Sequence, residues 1–257
     1  MRGQVVPPTQ AQRLAAEFVG TALLLTAVVG SGIAASRLSP GDTGLQLLEN
    51  AAATAAALVA IILAVGPVSG AHLNPVVTLA DRVFGGVTTA QAAGYVAAQL
   101  AGAGAGVVVA NLMFGLPPVE LASTVRSSPG LHLAEVVATF GLLLVVFGVV
   151  RSKRADVAPF AVGAYIGGAY FFTASTSFAN PAVTVARTLS DTFAGIAPAS
   201  APAFVAAQVA GALLAVAVVR FLYPSVAAVA ADVVVPHEGR PAPRADLPDR
   251  DVRTRDA

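Results

Sequence analysis

The chain has 257 residues, 56% hydrophobic and 11% charged, with a net charge of +1 and a mean hydropathy of +0.76. A soluble domain carries about a quarter charged residues, so this balance points to a polytopic membrane protein. Cysteine is absent, which excludes disulfides and thiolate chemistry, and three scattered histidines (His72, His132, His237) show no metal-ligand spacing. No internal basic run suggests a nucleic-acid partner.

A spanning helix needs about 20 mostly apolar residues. In chain order the candidates are 14–36, 46–65, 90–112, 132–150, 158–172 and 201–223, the fifth being short. The first is no secretory signal, because it lacks a cleavage site and further spans follow. Turn signals separate the runs: Ser39-Pro40-Gly41-Asp42, Gly115-Leu116-Pro117-Pro118, Ser128-Pro129-Gly130 and Arg151-Ser152-Lys153-Arg154. Residues 1–12 form a polar N-terminal segment. A tail over 225–257, rich in Pro, Arg and Asp towards its end, is expected to be disordered.

Two segments, 66–84 and 173–193, are too short to span and too apolar for ordinary surface loops. Each carries a near copy of one heptapeptide, Asn74-Pro75-Val76-Val77-Thr78-Leu79-Ala80 and Asn180-Pro181-Ala182-Val183-Thr184-Val185-Ala186. Roughly ten helical residues after each Pro would measure about 15 Å, half the hydrocarbon thickness. Pro75 and Pro181 then sit at the first helical position, where a missing N–H costs nothing. Two such half-helices meeting at their N-termini make one broken span, with the Asn side chains facing a shared pathway.

The repetition extends further. Tyr95-Val96-Ala97-Ala98-Gln99 returns as Phe204-Val205-Ala206-Ala207-Gln208, and Ala16-Glu17-Phe18 as Ala134-Glu135-Val136. The body, 13–224, is therefore two halves, about 13–112 and 131–224, each of three spans and one half-helix. Three spans is an odd number, so the halves are inverted and their pathway lies at the midplane. With both termini inside, twelve Lys and Arg fall on the inner side and three on the outer (Arg37, Arg126, Arg187), which makes the termini cytoplasmic. Gly102, Gly104, Gly106 and Gly211 read as seams for close helix packing.

Asn74 and Asn180 can each cap a helix. Paired in an inverted repeat, they are better placed to donate to passing hydroxyls or water. Each half-helix also brings about half a positive charge to the meeting point, a field that repels cations and suits neutral solutes. Glu17 and Glu135 are the acids well inside spans, where charge is costly. They either relay protons or accept hydrogen bonds from the re-entrant segments, and their symmetric placement favours bracing.

Ala16-Glu17-Phe18-Val19-Gly20-Thr21, Ser69-Gly70-Ala71-His72-Leu73-Asn74-Pro75 and Asn180-Pro181-Ala182 together resemble the major intrinsic protein family, the aquaporins and glycerol facilitators, over about 13–224. That resemblance implies an all-α hourglass of six transmembrane helices and two re-entrant half-helices, forming homotetramers in the plasma membrane with one pore per subunit. It implies no enzymatic activity, no cofactor and no metal. It maps an outer selectivity filter onto Thr54, Gly168, Ser177 and Val183. Most family members carry Arg at the position of Val183; here the four are small or apolar, which implies a wide filter. The first motif is altered to Asn74-Pro75-Val76, adding two methyl groups near the pore centre. Arg187, four residues after Val183, is either a displaced filter arginine in the outer vestibule or the partner of Asp191 outside the pore.

The Val183-Thr184-Val185-Ala186-Arg187 continuation resembles a bacterial branch associated with arsenic resistance. The expected function is a passive channel for small uncharged solutes, with arsenous acid, glycerol-like polyols and water as cargo and protons largely excluded. The rivals are a water-selective channel, a proton-coupled secondary transporter and a purely structural membrane protein.

Overall fold

A computed structural model describes residues 7–151 and 154–224. The expected disordered tail, 225–257, lies outside the described residues, as do the first six positions. Among these residues eight α-helices run in order: α1 (Gln10–Leu38), α2 (Thr43–Ser69), α3 (Pro75–Phe84), α4 (Thr89–Met113), α5 (Pro129–Arg151), α6 (Ala158–Phe172), α7 (Pro181–Ala186) and α8 (Ala201–Leu222). Among the described residues there is no strand.

The helices begin where side chains satisfy their first N–H groups. Thr9 with Gln12, and Thr88 with Gln91, form capping boxes at α1 and α4, and Asp42 caps α2. Among the described residues, five helices are long and apolar enough to cross a membrane: α1, α2, α4, α5 and α8. The fifth span, α6, has only 15 residues, about 22 Å against a core of about 30 Å. A 3₁₀ turn at Ala155–Val157 extends it at its start. Large apolar side chains such as Phe18, Leu63, Val109, Phe160 and Leu213 stay exposed on the outside of the bundle, as lipid contact requires.

The two halves pack alike. In one, α1 lies against α4 and α2; in the other, α5 lies against α8 and α6; α2 and α6 join the halves. The glycine seams make the close contacts. A Cβ at Gly102 or Gly106 would drive into the backbone carbonyl of Phe18 or Ala22 on α1, and one at Gly211 into that of Val136 on α5. Gly104 has open space beside it and is no part of the seam. Both half-helices, α3 and α7, seat against α4 and α8 together, which brings their N-termini to one place.

The half-helices are unequal. The expectation of ten residues after each Pro holds for α3, whereas α7 has six residues and then tightens into a 3₁₀ turn, Arg187–Leu189. That change of pitch decides where Arg187 points.

Candidate functional site

Each re-entrant loop is held by one buried carboxylate. Glu17 Oε1 accepts from Ser69 Oγ (2.6 Å) and the His72 N–H (2.9 Å), and Oε2 from the Leu73 N–H (2.8 Å) and Gln99 Nε2 (2.7 Å). Glu135 accepts from the N–H groups of Phe178 and Ala179 (2.9 Å each) and from Gln208 Nε2 (2.6 Å). Gln99 and Gln208 then donate to Thr78 and Thr184, whose hydroxyls donate to the carbonyls of Asn74 and Asn180. Both carboxylates are acceptors throughout, and neither lines the cavity described below. That geometry supports bracing and leaves no relay position for a proton.

The brace holds an unusual backbone. Ala71 and Leu73, and in the second half Thr176, Ser177 and Ala179, have φ between 47° and 61°, with Gly70 at 86°. Such left-handed residues cost on the order of 1–3 kcal/mol each when they carry a side chain. They recur at matched positions, three and one residues before each Asn, and the carboxylate bonds to the same segments hold them there.

Asn74 and Asn180 cap α3 and α7. Their Oδ1 atoms accept from the N–H of Val76 (3.1 Å) and of Ala182 (2.9 Å). Their amides cross between the halves: Asn74 Nδ2 donates to the Ala179 carbonyl and Asn180 Nδ2 to the Leu73 carbonyl, both at 2.8 Å. Each amide has two N–H donors, so one remains for a solute. Both Asn residues line a narrow cavity of about 70 Å³ that runs between the halves. Its apolar walls pair by position: Leu24 and Val28 on α1 with Leu142 and Val146 on α5, Leu58 and Ile62 on α2 with Val162 and Ile166 on α6, and Val77 with Val183.

Of the expected filter residues, Thr54, Ser177 and Val183 line this cavity and Gly168 does not. Gly168 is exposed on the outer surface of α6. The cavity-facing stripe of α6 is Val162, Ile166 and Tyr170, spaced by four, and a residue two positions away falls on the opposite face. Tyr170 supplies the α6 contribution instead, its hydroxyl donating to Thr54 Oγ1 at 3.2 Å. Val76 is also displaced from its expected role. It is buried in the core, while Val77 meets the cavity, so the altered motif adds no methyl groups to the wall. Pro75, Pro181 and Ala182 are likewise buried behind the lining.

Arg187 departs from the pairing with Asp191. Asp191 instead takes the N–H and hydroxyl of Ser123 on the α4–α5 loop. Arg187 is buried, 3% exposed, lines the cavity, donates from Nε to the Ala194 carbonyl, and lays its guanidinium 3.5 Å from the centre of the Phe178 ring. The α4–α5 loop closes over this mouth: Glu120 and Ala122 N–H groups bond to the Leu189 and Thr188 carbonyls, and Arg126 reaches the carbonyls of Gly195 and Phe193. Burial lowers the pKa of Arg126 from its ordinary value, with Glu135 opposing that shift.

A family model described as "Major intrinsic protein" matches residues 5–177. The chain belongs to that family. The aquaglyceroporin AqpS of Rhizobium meliloti is 48% identical over 211 residues, covering 82% of this chain and 90% of its own. Aquaporin NIP1-4 of Oryza sativa is 36% identical, covering 69% of this chain and 66% of its own. In structure, the aquaglyceroporin of Plasmodium falciparum superposes with a TM-score of 0.63 over 85% of this chain and 99% of its own, at 21% identity, a likeness of fold. As a major intrinsic protein the chain is a multi-pass passive channel for water and small solutes and is not an enzyme.

Three functional side chains of this major intrinsic protein escaped the sequence reading. Gln99 and Gln208 stand in the repeated five-residue pattern, but nothing in that pattern says that each links a carboxylate to a threonine. Tyr170 carries no local signal at all; it depends on the rotation of α6.

Proposed function

We propose that the chain conducts small neutral hydroxylated solutes, glycerol-like polyols and arsenous acid, together with water. The observation that carries this reading is Val183 on the cavity wall, at the position where most of the family has Arg, beside Thr54 and Ser177 with no charge among the three. Solute would lose its water shell against the apolar walls and regain hydrogen bonds from the free N–H of Asn74 and of Asn180 at the crossing point. The likeness to a protein named aquaglyceroporin supports a polyol-sized cargo. The balance of Lys and Arg supports cytoplasmic termini in the plasma membrane, so that the mouth under the α4–α5 loop is the outer one. Membership of the family supports a homotetramer, and residues 13–224 as the channel body.

A water-selective reading has one observation in its favour: Tyr170 and Arg187 both reach the cavity, where the sequence led us to expect small groups. Stopped-flow swelling of reconstituted vesicles with water, glycerol and arsenous acid separates the two. Wild type passing all three, with Val183→Arg selectively losing the larger solutes, supports the polyol reading. Wild type moving water alone overturns it.

A further inference from the structure

We propose that His72 and Asp81 form a buried one-proton site behind the first re-entrant loop, and that the proton it holds keeps this loop in its conducting shape. The proposal needs only the passage of water, which membership of the family provides, and is independent of the polyol reading above. Asp81 lies seven residues after Asn74, about 10 Å along α3 from the crossing point. Both side chains are buried, and they make the one ion-pair contact among the described residues, with His72 Nε2 3.7 Å from Asp81 Oδ2.

The surrounding hydrogen bonds fix the tautomer. The Thr78 hydroxyl gives its one hydrogen to the Asn74 carbonyl and accepts from Gln99 Nε2. Its 3.1 Å contact with His72 Nδ1 therefore has Nδ1–H as the donor. The nitrogen that titrates is Nε2, the one turned toward Asp81. Asp81 Oδ1 is buried and has no hydrogen-bond partner, so a second donor does not share the charge.

With one proton between Nε2 and Oδ2 the pair is neutral overall. With none, a lone pair faces a buried carboxylate that no donor satisfies, which is a costly arrangement. The gap of 3.7 Å exceeds a hydrogen bond, and closing it on the shared proton takes less than about 1 Å of movement. Loss of the proton drives the ring away from α3 instead. The ring cannot move alone. His72 sits between the left-handed residues Ala71 and Leu73, its N–H is bound to Glu17, and residues 71–74 line the narrow cavity. The second loop has Phe178 and Arg187 at the matching positions and no such pair.

The charges around the pair come from four helices. Glu17 of α1, bonded to the His72 N–H, favours the proton. Tyr95 of α4 meets the imidazole edge-on at 5.2 Å, with Arg13 of α1 beside its hydroxyl. Arg220 of α8 lies over the Phe84 ring, and Arg82 of α3 turns outward to Thr89. These three cations oppose the proton from further out, and α7 brings no titratable side chain.

The test is stopped-flow water permeability of reconstituted vesicles between about pH 5 and 8, with equal pH on both sides and correction for empty vesicles. Wild type should lose permeability as pH rises, along a one-proton curve, by roughly tenfold for each pH unit by which the two loop shapes differ in proton affinity. Asp81→Asn, of the same shape, offers Nε2 an N–H without a charge and should hold the wild-type acid value at every pH. His72→Gln should flatten the curve whatever its absolute value. Nitrogen-15 histidine NMR of wild type, with the His72 signal assigned by its loss in His72→Gln, should show Nδ1 protonated throughout and Nε2 gaining its proton over the range in which permeability rises. A wild-type permeability that ignores pH, a pH dependence that survives in Asp81→Asn, or titration at Nδ1 in place of Nε2 would each overturn the proposal.

Discussion

The two re-entrant halves share one brace and differ at their ends. In both, a buried carboxylate, a glutamine and a threonine hold the same left-handed backbone ahead of an Asn. The residues two before and seven after that Asn are another matter. In the first half they are His72 and Asp81, with Nε2 and Oδ2 3.7 Å apart. In the second they are Phe178 and Arg187, with the guanidinium against the ring. The centre of the pathway needs identical, mutually supporting geometry from both sides, and either half could serve. Away from that centre the halves carry opposite chemistry, acid with imidazole in the first and arginine with an aromatic ring in the second.

The brace is where the comparison breaks most visibly. Glu17→Ala removes the acceptor for four donors inside the protein and should cost about 4 kcal/mol or more, against about 3 kcal/mol for Glu135→Ala, which strands three. Thermal unfolding in detergent, followed by circular dichroism, measures both; equal losses would mean that the extra Ser69 bond to Glu17 contributes nothing.

Next come the seams. Gly102→Val and Gly106→Val should each cost roughly 2–3 kcal/mol by forcing α4 off α1, and Gly211→Val a similar amount between α8 and α5. A tolerated Gly211→Val would show that the second half packs more loosely than the first. Phe178→Leu removes the face under Arg187 and should cost about 1 kcal/mol. Thermal unfolding of Phe178→Leu beside the matching His72→Leu compares what the ring contributes in each half. Smallest of all, Gly104→Ala meets open space and should move the unfolding midpoint by less than about 0.5 kcal/mol in either direction.

Much of this was legible beforehand for a physical reason. The helices, the half-helices and the inverted halves follow from hydropathy and from duplicated motifs. Glu17 and Glu135 stood out because charge inside a span is costly. Gly168 failed because its place was counted back from Asn180 across the 173–179 loop, and a residue count does not carry the rotation of α6. Val76 failed by one position, since a half-helix turns about 100° per residue and Val77 took the inward face. Arg187 was assigned a regular helical face, but α7 stops after six residues, and its tightened continuation places the side chain against Phe178 and away from Asp191.

The crossed amide bonds at the centre have a consequence for how the chain is made. Asn74 donates to Ala179, and Asn180 to Leu73, across more than a hundred residues of sequence. A chain halted after α4 would leave the Asn74 amide and the Leu73 carbonyl without those partners. During synthesis the first re-entrant loop must therefore wait, hydrated or loosely held, until the second arrives. The conducting path closes as a late event in membrane assembly, and a half-length product is barred from forming a leaky half-pore of native shape.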